Sequence, residues 1–224
     1  MINATDSKGT FYILNKKDRT PIIFIHGVGL DHSIWDPQIN EFDNTVLIYD
    51  ILGHGKTPLN KNDLSFDDFS DQIINLIDEL KFNKVHLVGF SIGSLIARNF
   101  ATRFNDRLAS LTLLCSIFNR SDKEQKIVND RFEQTKKDHK LTKDALKRWF
   151  TEDFLNKNPD ISDKIFTILQ NNNMNNFIKI YSLFVKHKDN EKFENINTKT
   201  LVITGEGDIG STPEMSINLG KKIK

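Results

Sequence analysis

The fold is decided by the stretch Val85-His86-Leu87-Val88-Gly89-Phe90-Ser91-Ile92-Gly93, near the middle of the chain. It opens with a short apolar run that is typical of a buried strand, and apolar residues recur at helical spacing from Leu95 to Phe104. The pattern G-x-S-x-G lies between them, and its glycines permit a tight, strained turn that exposes a serine hydroxyl above a sheet. The stretch therefore predicts a strand–turn–helix unit with Ser91 as a candidate nucleophile.

Similar apolar runs, each bounded by turn residues, recur along the chain. They are Phe11–Leu14, Ile22–Ile25, Val46–Tyr49, Leu111–Leu114 and Leu201–Ile203. Runs without polar alternation fit strands that are buried on both faces, as in a parallel sheet covered by helices. Ser65 has capping-box spacing with Asp68, and a helical apolar face follows from Phe69 to Leu80. Strands that alternate with helices predict an α/β fold with a mostly parallel central sheet flanked by helices.

The pattern changes over residues 119–195, where strand-like runs stop and a charged stretch with helical spacing begins. The apolar positions of this stretch are Ile127, Phe132, Leu146, Trp149, Phe150, Ile165, Ile168, Leu169, Phe177, Ile180, Tyr181 and Phe184. Because a strand resumes at Leu201, we expect residues 119–195 to form a helical cap inserted into the core. The core would then consist of residues 1–118 and 196–224, in a single domain overall.

Composition excludes several classes of function. The 224 residues include 31 Lys and Arg against 30 Asp and Glu, and the resulting charge of +1 predicts no nucleic-acid partner. No apolar run approaches the roughly 20 residues of a membrane-spanning helix, and no secretory signal is recognisable, so we expect a cytoplasmic protein. Cys115 is the single cysteine, which excludes an internal disulfide and a cysteine-rich zinc site.

Two loops supply the other groups that a serine nucleophile needs. The loop His26-Gly27-Val28-Gly29 follows a predicted strand, and the N–H groups of Val28 and Ile92 can form an oxyanion hole beside Ser91, with His26 bracing the loop. The loop from Gly205 to Asp208 follows the strand at Leu201 and offers a carboxylate. We prefer Asp208 to Glu206 as that acid because it has to reach past the strand end.

In chain order these motifs resemble the α/β-hydrolase superfamily over essentially the whole chain. Within the superfamily the chain is most similar to the 3-oxoadipate enol-lactonase branch, with esterases and cofactor-free perhydrolases close by. The segments that add to the resemblance are Leu30-Asp31-His32, Trp35-Asp36-Pro37, Asp50, Gly53-His54-Gly55, Arg148-Trp149-Phe150-Thr151 and Thr212-Pro213.

The resemblance implies a Ser-His-Asp triad with Ser91 as nucleophile and Asp208 as acid, acting on a small carboxylic ester or lactone. Neither a metal nor an organic cofactor is expected. For an enol-lactone that bears a carboxylate, the cap should offer a cation to the substrate. Arg148 beside Trp149 is one candidate, and Arg120 and Arg131 are others.

The chain departs from the family pattern at the base. Its six histidines are residues 26, 32, 54, 86, 139 and 187, and none follows Asp208, where the family places its catalytic histidine. A further strand and helix of the family pattern are also missing, so we expect a C-terminally truncated hydrolase rather than one that has lost its base. The alternatives are a non-catalytic binding protein on the same scaffold, and a base supplied by His139 or His187 of the cap.

Overall fold

The computed structural model describes residues 1–223. Its strands are β1 (Ile2–Thr5), β2 (Phe11–Asn15), β3 (Arg19–Ile25), β4 (Asn44–Tyr49), β5 (Val85–Phe90), β6 (Leu108–Leu114) and β7 (Thr200–Ile203). Its helices are α1 (Phe66–Glu79), α2 (Ile92–Arg103), α3 (Asp122–Asp138), α4 (Asp144–Trp149), α5 (Glu152–Lys157), α6 (Pro159–Gln170), α7 (Met174–Lys186) and α8 (Pro213–Lys222). Short 3-10 helices lie at His32–Trp35, Asn105–Arg107 and Phe193–Asn195.

The strands form one seven-stranded sheet in the order β1-β2-β4-β3-β5-β6-β7. Strands β3 to β7 run parallel to one another, whereas β2 pairs antiparallel with both β1 and β4. The predicted α/β fold with a mostly parallel sheet is therefore confirmed. The sequence analysis missed β1, because its exposed residues form no apolar run.

The two faces of the sheet are covered differently. One face packs against α1, α2 and α8 in the main core, which includes Ile23, Leu87 and Leu111. The other face carries a smaller cluster around Trp35 and Ile39, next to β3 and β4. The expectation of strands buried on both faces holds for β4 but is wrong for β7, where Leu201 and Ile203 are 55% and 46% exposed. Within residues 1–223, β7 pairs with β6 alone and forms one edge of the sheet.

The five helices α3 to α7 all lie between β6 and β7 in the chain, so the predicted helical insertion is present. Its core joins α3 to α7 through Val128, Phe132, Phe177 and Tyr181, and the partly buried Val28 packs against the same cluster. Ile127, expected on the buried face of α3, is 49% exposed, since its neighbour Val128 takes the inward position.

Candidate active site

Ser91 lies at the sharp turn between β5 and α2, and the two flanking glycines make that turn possible. A Cβ on Gly89 would overlap the backbone of Gly93. A Cβ on Gly93 would come within 2.6 Å of the carbonyl oxygen of Ile25 and 2.7 Å of that of His26. Helix α2 thus begins in direct backbone contact with the end of β3, and only glycine fits at either position.

The backbone of Ser91 itself is strained. Its φ of 58° and ψ of −121° are strongly disfavoured for a residue with a side chain. The conformation is fixed by the Ser91 N–H, which donates to the carbonyl oxygen of Leu114 at 3.0 Å, and by the Ser91 carbonyl, which accepts from Ser94. This geometry places the serine at the carboxyl end of the parallel strands, partly exposed, at the position where a nucleophile would stand.

The loop after β3 lies against this turn. A Cβ on Gly27 would be 3.3 Å from the Cβ of Ser91. The residues from Gly27 to Leu30 form a tight turn closed by the Leu30 N–H and the Gly27 carbonyl at 3.2 Å, and Gly29 has the positive φ of 77° that such a turn requires. The sequence therefore brings the His26–Gly29 loop and Ser91 together as expected.

Two buried histidines brace the loop through its backbone. The Nε2 atom of His26 accepts from the Ile51 N–H at 3.1 Å, and its Nδ1 lies 2.8 Å from the Gly27 carbonyl. The Nε2 atom of His54 accepts from the Gly29 N–H at 2.8 Å. Burial lowers the pKa of both imidazoles, that of His54 to about 3, so both are neutral at pH 7 and can act as acceptors.

The two N–H groups expected to form an oxyanion hole are left available by this bracing. Gly29 donates to His54, whereas the N–H groups of Val28 and Ile92 have no acceptor among the hydrogen bonds of residues 1–223. Val28 lies one residue from Gly27, which contacts Ser91, and Ile92 follows Ser91 directly. Both donors therefore belong to the segments that meet at the serine.

Asp208 is held by its own loop. Its Oδ1 accepts from the N–H groups of Gly210 and Ser211 at 2.8 and 2.9 Å, and its Oδ2 accepts from the Thr204 hydroxyl at 3.0 Å. Burial raises the pKa of the neighbouring Cys115 thiol, and the Asp208 carboxylate contributes to that increase. Cys115 directly follows β6 and donates its N–H to the Ile203 carbonyl, so Asp208 lies at the carboxyl ends of β6 and β7.

None of the histidine side chains is hydrogen bonded to Ser91 within residues 1–223. His26 and His54 hold backbone groups, His32 pairs with Asp50, His86 contacts the Ser110 hydroxyl and His187 lies beside Asp189 and Glu191. His139 ends α3 in a left-handed conformation and is exposed. The structure thus brings together the turn and the donors, but it places no imidazole on the serine.

The cationic residues proposed for the insertion differ in exposure: Arg120 and Arg131 are partly buried, whereas Arg148 is exposed. Arg148 donates to the Asp144 carbonyl at 3.1 Å, and burial together with nearby Arg131 lowers its pKa. Burial lowers the pKa of Arg120 to about 10. None of the three arginines forms a salt bridge within the described chain, and Arg120 instead donates to the Phe184 carbonyl at 3.1 Å and lies over the Phe184 ring. Trp149 is 41% exposed.

The sequence analysis named Asp50 only as part of the family resemblance and missed its role. The carboxylate is fully buried and accepts from the N–H groups of His32 and Lys56 at 2.8 Å and from the His32 ring at 2.7 Å. The pKa of Asp50 is lowered by these hydrogen bonds against the effect of burial, and the pKa of His32 is raised by the same contact. Its position at the end of a strand, next to a glycine-rich turn, was the available signal.

A strained serine between a parallel strand and a helix, with unbonded backbone donors beside it, defines a protein built like an α/β hydrolase. Residues 20–224 match the family described as alpha/beta hydrolase fold, and the chain belongs to that family. No helix among residues 1–223 is both long and apolar enough to cross a membrane.

Two relatives and one solved structure are similar to this chain over most of its length. The chain is 29% identical to (E)-2-((N-methylformamido)methylene)succinate hydrolase of Acinetobacter baylyi, over 96% of this chain and 82% of that protein. It is 25% identical to 3-oxoadipate enol-lactonase 1 of the same organism, over 93% and 79%. The enol-lactonase structure from Burkholderia xenovorans superimposes with a TM-score of 0.83 at 22% identity, over 99% of this chain and 87% of that one, which shows a shared fold.

Proposed function

We propose that this protein is a serine hydrolase for a small carboxylic ester or lactone, with Ser91 as the nucleophile. The single observation that carries the proposal is the strained backbone of Ser91, held between two glycines that admit no side chain. Strain of this kind costs of order 1–3 kcal/mol and persists where the surrounding structure imposes it, commonly at active sites. The hydrolase names of the relatives agree with this chemistry.

In the proposed reaction, the Ser91 Oγ attacks the substrate carbonyl as its proton passes to an imidazole base. The carbonyl oxygen becomes an oxyanion, and the N–H groups of Val28 and Ile92 donate to it. The alcohol leaves with the proton from the imidazolium, and water then releases the acid from Ser91 by the same steps in reverse order. We assign Asp208 the task of orienting and stabilising that imidazole.

The base is the group that this site lacks within residues 1–223. Strand β7 has a free outer edge and exposes Leu201 and Ile203, so an additional parallel strand can pair there. The loop after such a strand would begin at the carboxyl end of the sheet, the same end at which Ser91 and Asp208 lie. We propose that a strand, a histidine-bearing loop and a helix at this edge complete the triad.

We further propose that the substrate carries a carboxylate and that residues 119–195 act as a cap over it. Three arginines of this segment, Arg120, Arg131 and Arg148, lack a salt bridge in the described structure, and Arg120 is partly buried. Arg120 lies over the ring of Phe184, which packs against the cluster that Val28 also contacts, and this supports a place for Arg120 on the Val28 side of the insertion. The succinate and oxoadipate in the names of two relatives are anionic compounds.

A second candidate function is non-catalytic binding on the hydrolase scaffold. The observation that favours it is the absence of a hydrogen bond between any imidazole and Ser91 within residues 1–223. A perhydrolase or another esterase would use the same serine and the same backbone donors.

Covalent labelling tests the proposal. The chain, extended by the last strand, histidine loop and helix of an enol-lactonase relative, is incubated with a fluorophosphonate. The modified peptide is identified by mass spectrometry in this extended protein, in its Ser91→Ala variant and in the control Ser182→Ala on α7. We expect modification on Ser91 alone, its loss in Ser91→Ala and no change in the control. Equal labelling of Ser91→Ala would refute the nucleophile assignment. If labelling occurs without turnover of p-nitrophenyl acetate or an enol-lactone, the binding alternative is favoured.

A further inference from the structure

A buried cluster of four charged or titratable side chains lies away from Ser91, where the helical insertion joins the core. Its members are Arg98 of α2 and His187, Asp189 and Glu191, which follow α7. The side chains of Arg98, His187 and Glu191 are 0%, 6% and 7% exposed, and that of Asp189 is 12% exposed. Charged groups this far from solvent require partners, because each one is costly to desolvate.

Arg98 is the centre of the cluster. One of its terminal nitrogens, Nη2, lies 2.6 Å from Asp189 Oδ1 and 2.7 Å from Glu191 Oε1, and the other, Nη1, donates to the Ile117 carbonyl at 2.8 Å. The second oxygen of Asp189 accepts from the Asn119 N–H at 2.7 Å. Through these contacts Arg98 connects α2 to both ends of the insertion: to Ile117 and Asn119, where the chain enters it, and to Asp189 and Glu191, where the chain leaves it.

The charges of the cluster do not balance while His187 is neutral. Arg98 contributes one positive charge against the two negative charges of Asp189 and Glu191, which leaves a buried net charge of −1. The Nε2 atom of His187 lies 3.4 Å from Asp189 Oδ1 and 3.4 Å from Glu191 Oε1, and this nitrogen has no hydrogen bond within residues 1–223. A proton on Nε2 neutralises the cluster and gives both carboxylates a second cation.

We propose that protonation of His187 locks both ends of the helical insertion to α2, so that this cluster is a proton-operated clamp on the position of the insertion. The charged groups that face His187 are Asp189, Glu191 and Arg98. A cavity of about 230 Å³ opens beside it and is also lined by Arg120, Asp122 and Lys188. The aromatic ring of Phe66 packs edge-on against the His187 ring, with the ring centroids 5.3 Å apart.

The shift in the pKa of His187 agrees with its position beside two carboxylates. Burial alone would lower the pKa of His187, but its contacts with Asp189 and Glu191 raise it above its ordinary value of 6.5. A group whose pKa is raised by folding stabilises the folded state below its unfolded pKa, and this contribution is lost as the pH rises through the folded pKa. The clamp is therefore closed at pH 6 and weakens above the raised pKa of His187.

Thermal unfolding of the wild type, His187→Gln and the control His139→Gln between pH 6 and pH 9 tests the clamp, and it requires no turnover. We expect the melting temperature of the wild type and of His139→Gln to fall over this range relative to His187→Gln, by about 3–5 °C for each unit by which folding raises the pKa. Identical pH profiles for the wild type and His187→Gln would overturn the proposal.

Two measurements keep the test decisive if His187→Gln does not fold. The His187 ring is titrated by NMR in the wild type, where we expect a pKa above 6.5, and in Glu191→Gln, where we expect a lower one. Hydrogen exchange at the Asn119 amide, corrected for its intrinsic pH dependence, should show less protection above the His187 pKa. A wild-type His187 pKa below 6.5, or unchanged Asn119 protection, would refute the clamp whatever the chemistry of Ser91.

Discussion

Replacing Ser91 by glycine should make the protein more stable while removing its proposed nucleophile. At φ 58° and ψ −121° glycine is free of the strain that any Cβ imposes, so Ser91→Gly releases about 1–3 kcal/mol. The unfolded chain gains freedom from glycine, which offsets about 0.5–1 kcal/mol of this gain. Ser91→Ala also lacks the hydroxyl but keeps the strain. The expected difference is about 0.5–2 kcal/mol in favour of Ser91→Gly, or about 1–8 °C in melting temperature for a chain of this size.

Urea unfolding of the two variants, followed by circular dichroism, measures this difference directly. The matched control is Ser182 within α7, where the helical backbone favours alanine over glycine by about 1 kcal/mol. The sign of the glycine–alanine difference should therefore be opposite at the two positions. If Ser91→Gly is no more stable than Ser91→Ala, then the turn is not strained in solution and the main support for the nucleophile is lost.

Three further perturbations address neighbouring features. Gly93→Ala should cost at least about 3 kcal/mol in urea unfolding, because its Cβ would lie 2.6 Å from a carbonyl oxygen, whereas Gly220→Ala, which meets no atom within 4 Å, should not destabilise. His32→Ala should cost about 1–3 kcal/mol at pH 6 and less at pH 9, since the raised pKa of His32 means that its charged pairing with Asp50 is lost as the pH rises; an equal cost at both values would contradict this. Appending the last strand, histidine loop and helix of an enol-lactonase relative should raise p-nitrophenyl acetate turnover about 10²–10⁴-fold, and Asp208→Asn should abolish most of that gain. A turnover that does not change on extension, in a folded protein, would argue for the binding alternative.

Local sequence patterns were sufficient to predict the turn at Ser91, because its requirements are steric and involve adjacent residues. The capping serine at residue 65 and the proline that begins α8 were predictable for the same reason, and both have the expected geometry. The edge strand β1 has no apolar pattern and was missed. The difference between the two faces of the sheet also escaped prediction, since it depends on which elements pack against each strand.

The charged clusters were beyond the reach of sequence patterns. Arg98 and Asp189 are 91 residues apart in the chain, and only the path of the insertion brings them to 2.6 Å. On its helix Arg98 has no distinguishing neighbour, so from sequence it is one arginine among many. Asp50 was visible as a residue at the end of a strand, but its three donors come from two different loops. Patterns of spacing identify elements and turns, whereas ion pairs between distant segments depend on the completed fold.

The combination of strain and prepared donors bears on the choice between catalysis and binding. A protein that only bound a ligand would gain nothing from holding Ser91 in a conformation that costs of order 1–3 kcal/mol, since a glycine there would bind as well and fold more stably. Nor would it need two neutral histidines to fix the loop so that the Val28 N–H has no acceptor within residues 1–223. In a serine hydrolase, the oxyanion hole and substrate binding alone retain about 10³–10⁴-fold of rate enhancement when a triad member is absent. The serine, the donors and their bracing histidines therefore fit a hydrolytic site whose remaining requirement is an imidazole within reach of Ser91.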